Sequence, residues 1–306
     1  MGNTYTDCIA YTKAPTGLVL NDFIGNIGRI ASCSAGATSL SLPTNQAITA
    51  SDLSQYDDFY IFDGPSSEVV QVGSLGVAIG ATSIPLQAPT QYAHAAGTPY
   101  CTDGIDGSLG EVIFTASKWI EDDICYQALW STTYTGEILT APTMRAALDN
   151  QNNLHFRPRH FPISALTSVT VRTNALNATP YDTTQAIIDA DQQTVDLALS
   201  AVLSSQSSQL NSPWWVGSSF SRATNTWITI TYTAGFAVGS LPRPVVRACT
   251  LLISDCFTQL ENPVGANMIQ QNKRMVEFAP RGDTSGESSL YKEAVRLLVP
   301  YTTQSF

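Results

Sequence analysis

The histidines and the carboxylate clusters are the residues of this 306-residue chain whose types could do chemistry. His155 and His160 lie five positions apart in the segment HFRPRH, with a proline between them. This spacing does not place the two imidazoles on one helix face, as a helical zinc pair requires. We interpret the segment as a structural loop. Its arginines, Arg157 and Arg159, can pair with the carboxylates of a neighbouring subunit and are candidates for a subunit contact.

The carboxylates do not match a known catalytic or calcium-binding pattern. Asp103, Asp106 and Glu111 superficially suggest calcium, but the helix–loop pattern needs oxygen ligands at alternate positions and a glycine at the sixth. A turn followed by a helix with an acidic first turn describes these residues better. Three aspartates between residues 57 and 63 flank a predicted hairpin and cannot be paired for acid–base work from the sequence alone. GxSxG, P-loop, GxGxxG and HExxH motifs are absent, so we predict no enzyme activity and no catalytic, cofactor-binding or metal-binding residues.

The amino-acid composition limits the classes of protein to which the chain can belong. Charged residues make up 13% of the chain, against about 25% in an average soluble domain. This balance favours β-rich structure and large buried contacts between subunits. The net charge is −10 and no Lys/Arg run occurs, which argues against binding that neutralises phosphates but allows an acidic surface that repels DNA. Residues 1–7 resemble no signal peptide, and no apolar run approaches the length of a membrane span.

The cysteines show no CxxC pair. Several fall on predicted apolar helix faces, where a free thiol behaves as a small hydrophobic group. We therefore predict reduced, buried thiols and leave open a disulfide between Cys33 and Cys101. The six positions are Cys8, Cys33, Cys101, Cys125, Cys249 and Cys256.

The stretch from Trp227 to Glu261 is the element around which the rest of the chain is organised. Alternating large and small residues predict a strand through Thr233, and glycines then break it. A proline-rich start predicts a long amphipathic helix from about Pro242. Its apolar stripe is predicted at Val245, Cys249, Leu252, Ile253, Cys256 and Leu260. The polar side is predicted at Arg243, Arg247, Thr250, Ser254 and Thr258.

The N-terminal part is predicted to be an irregular arm (residues 1–15) and a small β module (residues 16–104). Two segments beginning with Gly-Ala-Thr-Ser, at Gly36 and Gly80, suggest a duplicated hairpin unit. Between them, a hairpin is predicted around Gly64-Pro65.

The remainder, residues 105–306, is predicted to be a helical domain with an inserted antiparallel β-sheet and an extended C-terminal tail. The whole is therefore an α+β fold. Helices are predicted at Leu109–Leu129, Met144–Leu148 and Ser288–Leu298. Strands are predicted at Leu166–Thr173, Thr184–Asp189 and Thr194–Leu203. Residues 211–225, with Trp214 and Trp215, are predicted to form a loop or exposed rim, and residues 262–286 show no clear period.

Five segments occur in an informative order from about Leu109 onward. They are TASKWIE (115–121), FPISALTSV (161–169), YTAGF (232–236), LPRPVVRA (241–248) and EAVRLLVPY (293–301). In this order they resemble the opening helix, the first strand, the strand end, the second helix and the last helix of the head–tail adaptor (connector) proteins of tailed bacteriophages. The segment Gln91–Tyr100 of the extra N-terminal module resembles small β modules of phage structural proteins.

The resemblance implies a ring of about twelve copies docked beneath the portal protein, with genomic DNA passing through the centre without sequence-specific binding. The partners implied are the portal protein, further copies of this chain and a tail or stopper protein. The chain would then be located in the neck of the virion, after assembly in the host cytoplasm. Arg243 and Arg247 become candidates for the neighbouring subunit or the lumen. The candidate portal-docking tail is Tyr301, Thr302, Thr303, Gln304, Ser305 and Phe306, with a frayed terminus as the alternative.

Two alternatives stay open at this point. The chain could be an outward-facing binding or decoration module of the virion, in which Trp214 and Trp215 recognise carbohydrate or another protein. The same two tryptophans also fit a subunit interface or a packed loop, because aromatic residues are enriched at interfaces. A tail-completion (stopper) protein is the nearer alternative.

Overall fold

The computed structural model describes residues 3–15, 21–140, 146–148, 153–172, 178–184, 186–189, 194–198, 227–261, 268–271, 274–277 and 288–303. The chain forms two compact units. The first unit contains residues 1–126 and 241–302, and the second contains residues 127–240 and 303–306. The predicted domain boundaries near residues 15 and 104 remain predictions, because compact packing does not show which segments fold independently.

The β module of the first unit contains six short strands. They are β1 (Ile27–Arg29), β2 (Ser39–Ser41), β3 (Asp58–Ile61), β4 (Glu68–Gln71), β5 (Ser83–Pro85) and β6 (Pro99–Thr102). Four form an antiparallel sheet in the order β1-β6-β3-β4, and the predicted hairpin around Gly64 is the β3–β4 pair. The two Gly-Ala-Thr-Ser segments lead into β2 and β5, which pair with each other and place Leu40 opposite Ile84. The two repeated segments are therefore the two strands of one antiparallel pair.

The predicted irregular arm is wrong over residues 8–12. Residues Cys8–Thr12 form helix α1, whose Asp7 cap accepts a hydrogen bond from the backbone N–H of Ala10. Tyr5, Cys8 and Tyr11 are buried, so burial of apolar side chains holds this segment against the rest of the first unit.

Three longer helices complete the first unit. They are α2 (Leu109–Trp119), α3 (Arg243–Glu261) and α4 (Ser289–Leu298). The predicted helix to Leu129 ends earlier, because α2 passes into a π-helix over Ile120–Cys125 and Tyr126 then adopts a φ of 55°. Helix α3 contacts both α2 and α4. Residues 241–302 also contain a hairpin of β15 (Met268–Gln271) and β16 (Arg274–Glu277), which the sequence did not indicate.

The long helix α3 is more deeply buried than its pattern predicted. Val245, Cys249 and Ile253 are buried as expected, but Thr250 and Ser254 of the predicted polar side are buried too. Their hydroxyls donate to the carbonyls four residues earlier, of Val246 and Thr250. This local bond satisfies a hydroxyl without water, so polar residues can lie inside the unit.

In its described residues, the second unit contains two four-stranded antiparallel sheets. The first contains β7 (Thr132–Thr140), β10 (Ile163–Arg172), β11 (Ala178–Tyr181) and β14 (Trp227–Ala234) in the order β11-β10-β14-β7. The second contains β8 (Ala146–Leu148), β9 (Asn153–Phe156), β12 (Ile187–Asp189) and β13 (Thr194–Ala198) in the order β12-β13-β9-β8. Their side chains share one core. The helix predicted at Met144–Leu148 is wrong, since residues 146–148 are strand β8. Elsewhere the predicted strands occur, but Thr184–Asp189 begins only at Ile187.

The observed fold class is thus α+β with antiparallel sheets. In the described parts of the chain, no helix is long and apolar enough to cross a membrane.

Candidate functional site

One polar cluster of the β module is a buried histidine between two carboxylates. The Nδ1 atom of His94 lies 3.0 Å from Oδ2 of Asp63, and Nε2 lies 2.8 Å from Oε1 of Glu68. The imidazole is fully buried and Glu68 nearly so, whereas Asp63 is about one third exposed. A neutral imidazole carries one N–H. Both contacts are therefore hydrogen bonds only if this cluster holds one further proton.

The same cluster ties three segments of the module together. Glu68, at the start of β4, also accepts the backbone N–H groups of Gln91 and Tyr92. His94 pairs through its backbone with Cys33. We infer a structural role, because the contacts of Glu68 and His94 join one part of the module to another. The sequence analysis missed it. The available signal was the inward position of Glu68 in an alternating strand.

A second polar cluster lies in the second unit and includes one predicted histidine. Nδ1 of His160 is 2.8 Å from the hydroxyl of Tyr232, which also accepts the backbone N–H of His160 at 3.1 Å. The Tyr232 hydroxyl donates to Glu137. The His160 ring stacks on Tyr134 with centroids 3.7 Å apart.

This arrangement fixes the tautomer of His160. The Tyr232 hydroxyl donates its single O–H to Glu137, so its oxygen can only accept a hydrogen bond from His160. Nδ1 of His160 must therefore carry the imidazole proton. Nε2 then remains as an acceptor. Burial, and secondarily the charge of Arg159, lowers the pKa of His160 to about 4. Burial and the carboxylate of Glu137 raise the pKa of Tyr232. The imidazole can be buried in this fixed orientation, because its uncharged form avoids the cost of desolvating a charge.

The structure describes four of the predicted arginines. Arg157 is half-buried and Arg159 exposed in the second unit, while Arg243 and Arg247 are exposed at the start of α3 in the first unit. The exposed three meet the minimum requirement for contacting a partner. His155 lies within β9, where its backbone pairs with those of Asp196 and Ala147.

The predicted tail is only partly covered by the described residues. Tyr301 and Thr302 are half-buried, and Thr303 is buried. Burial raises the pKa of Tyr301. These residues already pack within the chain, so the hypothesis of an arm that orders on docking now concerns Gln304, Ser305 and Phe306, which lie outside the described residues. Trp214 and Trp215 also lie outside them.

One face of the sheet β11-β10-β14-β7 is made of uncharged and mostly small side chains. In β14, Ile228, Ile230 and Tyr232 are fully buried, whereas the alternate residues Thr229, Thr231 and Thr233 are half-exposed. Their partners on the neighbouring strands share this outer face. We call it the hydroxyl face, and it consists of Thr133, Ile138, Ala165, Ser168, Thr170, Thr229, Thr231 and Thr233.

The net charge is distributed unevenly along the chain. Residues 1–126 contain 13 Asp and Glu against 3 Lys and Arg, whereas residues 127–306 contain 12 of each. The net charge of −10 therefore belongs to the first 126 residues. This segment repels anions, and the second unit does so very little.

The thiols and possible metal ligands complete the inventory. All six cysteines are free, Cys33 and Cys101 included. Among the residues that the structure describes, no group of three or more His, Cys, Asp or Glu is placed to hold a metal ion.

Comparison with known proteins adds no family to this description. No family model matches the chain, and no curated protein matches it significantly.

Proposed function

We propose that this chain is a structural head–tail adaptor of a tailed phage, which forms a ring under the portal, links capsid to tail and lets DNA pass. The observation that carries the proposal is the place of the five resembling segments in the fold. Each segment lies at the beginning or end of a principal element, namely α2, β10, β14, α3 and α4. Their order therefore reflects the order of the architecture as well as of the sequence.

The residues of these segments also build the packing of that architecture. Ser117 of α2 accepts the backbone N–H of Tyr5 and lies 3.7 Å from the thiol of Cys249 in α3. Ala294 and Leu298 of α4 are fully buried. A resemblance at such positions concerns the scaffold, which supports a likeness of fold more than a likeness of site.

The end of β14 gives a further argument from backbone geometry. Gly235 has a φ of 106°, and a Cβ atom there would lie 2.4 Å from the backbone oxygen of Trp130. Only glycine fits such a position. The Tyr-x-Ala-Gly-aromatic pattern of the resemblance thus has a physical cause in this chain.

The charge distribution supplies the part of the proposal that concerns DNA. A channel that DNA must pass has to avoid tight contacts with phosphate. The acidic first 126 residues suit the side of the ring that faces DNA, because they repel the phosphate backbone. Arg243 and Arg247 then fit a contact with the neighbouring copy better than they fit the lumen.

The proposal is tested by mixing the purified chain with purified portal rings and recording native mass spectra and electron micrographs. We expect a ring of many copies on each portal. A chain that stays monomeric and ignores portal rings contradicts the proposal. Replacing Gln304–Phe306 by Gly-Ser-Gly tests the arm, and undiminished portal binding by that variant refutes the arm alone.

An outward-facing binding or decoration module is the second candidate, and a feature of the β module favours it. A shallow cavity of about 410 Å³ is lined by Asp52, Ser54, Gln55 and the turn 74–78. Leu75 at the tip of this turn is 92% exposed. Polar groups beside an exposed apolar tip suit a carbohydrate or a protein. Glycan binding without portal binding would select this candidate, and binding only to a preformed adaptor–portal ring would select a tail-completion protein.

A further inference from the structure

We propose that the hydroxyl face is the surface through which one copy of this chain contacts the next. The inference rests on the proposed function and names the surface by which the ring is held together. Its occupant is a second copy of the same chain.

The first argument is the geometry of the face. Residues paired across the ladders form three rows: Thr170, Thr229 and Ile138 in one, Ser168 and Thr231 in the next, and Ala165, Thr233 and Thr133 in the last. Thr133, Ser168 and Ala165 are exposed, and Ile138 is 58% exposed. The opposite side of the same strands forms the core of the unit. The outer side is therefore a layer of mostly small side chains that this core does not use.

The second argument is charge. Two copies that carry −10 each repel one another wherever their acidic segments meet. None of the eight residues of the hydroxyl face can ionise, and residues 127–240 contain 6 Asp and Glu against 5 Lys and Arg. Contact between these side chains thus brings no ionised group of the face against the neighbouring copy, where desolvated like charges would cost several kcal/mol.

The third argument is the low cost of ordering this surface. Serine, threonine and alanine have short side chains, so their burial costs little rotamer entropy compared with lysine or glutamate. β-branched side chains on a sheet are already restricted at χ1. A partner layer can approach to sheet-packing distance without rearranging long side chains.

The size of the face sets how much of the contact it can supply. The face runs along β14 from Thr229 to Thr233 and lies on three strands. At about 3.4 Å per residue and about 4.8 Å per strand it covers roughly 17 Å by 14 Å, or about 240 Å². A standard interface buries about 800 Å² on each partner. The hydroxyl face accordingly forms about a third of one side, and neighbouring residues supply the rest.

Nucleic acids and other anionic partners fit the face poorly. Phosphate contacts require Lys, Arg or N–H donors directed outward, and the face has hydroxyls and methyl groups instead. Binding of DNA to the face is therefore an outcome that would overturn the inference.

The experiment compares Ser168→Arg with Ser39→Arg. Both serines are exposed and lie in strands, but Ser39 is in β2 of the other unit. Sedimentation velocity and native mass spectrometry measure self-association of the full chain, alone and on portal rings, and thermal unfolding checks that the variants fold. We expect Ser168→Arg to weaken copy–copy association at least about tenfold, since it buries an unpaired charge. Ser39→Arg should associate like the wild type.

A second variant and a salt series exclude simple misfolding and ion-pair explanations. Ser168→Asp should weaken association as well, because the face excludes either sign of charge. Association of the wild type should stay level or strengthen as salt rises, since screening weakens the repulsion between acidic copies. Wild-type-like association of both Ser168 variants, or loss of wild-type association in high salt, would overturn the inference.

The measurement on portal rings separates this inference from the proposed function. Equal loading of wild type and Ser168→Arg on portal rings would overturn the surface and leave the adaptor function standing. Failure of the wild type to associate with itself or with portal rings would remove both. Retardation of DNA by the wild type that Ser168→Asp abolishes would assign the face to DNA and overturn the inference.

Discussion

Removing the imidazole of His94 is the perturbation whose consequences the structure defines most sharply. In His94→Ala, the carboxylate of Glu68 loses its partner at 2.8 Å but keeps the backbone N–H groups of Gln91 and Tyr92. Asp63 loses its partner at 3.0 Å as well. The variant therefore leaves two acidic groups facing a cavity.

The magnitude follows from burial. Leaving a buried polar group without its hydrogen-bond partner costs about 1–3 kcal/mol, and more when the group is charged. This range applies to Glu68, which is 1% exposed. Asp63 is about one third exposed, so its lost contact adds at most about 1 kcal/mol. Because domains are stable by only about 5–15 kcal/mol, His94→Ala should remove a large share of the stability of the first unit.

A double-mutant cycle tests the cause as well as the size. Glu68→Gln in the wild-type background should destabilise the chain by about 1–3 kcal/mol, because it weakens the contact to His94. In the His94→Ala background the same substitution should be neutral or stabilising, since it removes an acidic group that has lost its partner. The predicted change of sign is specific to a paired cluster.

The assay is urea unfolding followed by circular dichroism and by tryptophan fluorescence, with coincident transitions as the check on two-state behaviour. Asp63→Asn serves as the matched control and should cost about 1 kcal/mol or less. A cost below about 1 kcal/mol for His94→Ala, or an equal cost of Glu68→Gln in both backgrounds, would refute the reasoning.

Three further predictions address backbone strain, protonation and thiols. Gly235→Ala should destabilise the chain by more than about 2 kcal/mol, because its Cβ atom would meet a backbone oxygen. Gly36→Ala, at a φ of 82° with open space around it, should cost only about 1 kcal/mol. Equal unfolding midpoints of the two variants would contradict this difference. The pKa of His160 is lowered from 6.5 to about 4 in the folded chain. As the pH drops, the unfolded chain therefore binds the proton first, and the free energy of unfolding should fall between pH 6.5 and 4. His160→Gln should lose this pH dependence, and an NMR titration of native His160 near pH 6.5 would disprove the prediction. A thiol reagent should modify Cys33 in the folded chain well before the four buried cysteines, whereas simultaneous reaction of all six thiols would contradict their burial.

The sequence determined those features that depend on local pattern. Alternation from Trp227 to Thr233 places Ile228, Ile230 and Tyr232 on one side of a strand, and this side is buried. Period and proline position define α3 to within a residue or two. The hairpin at Gly64 follows from turn chemistry. These elements were predictable because each depends on residues a few positions apart.

Pattern failed where a local preference was overridden by packing. Thr250 and Ser254 were assigned to the solvent side, but α3 contacts helices on two sides and their hydroxyls bond to its own backbone. Residues 146–148 were assigned to a helix, and they form a strand because β9 supplies the hydrogen-bonding partners. A short apolar segment has too little period to resist such pairing.

The polar clusters depend on contacts between residues far apart in the chain. Glu68 and His94 are 26 positions apart, and Glu137 and Tyr232 are 95 positions apart. No spacing rule links such residues, since strand pairing alone brings them together. The resemblance to phage adaptors could be read from the order of local segments, and it remains a proposal.

The sequence by itself thus determined the acidic balance, the main strand and the long helix, because composition and periodicity act locally. Only the tertiary structure decided that the negative charge and the hydroxyl face lie in different units, that the repeated segments pair with each other, and that His94 is held between two carboxylates. These features require the chain to bring distant residues together, and hydrogen-bond geometry and burial then select which of them meet.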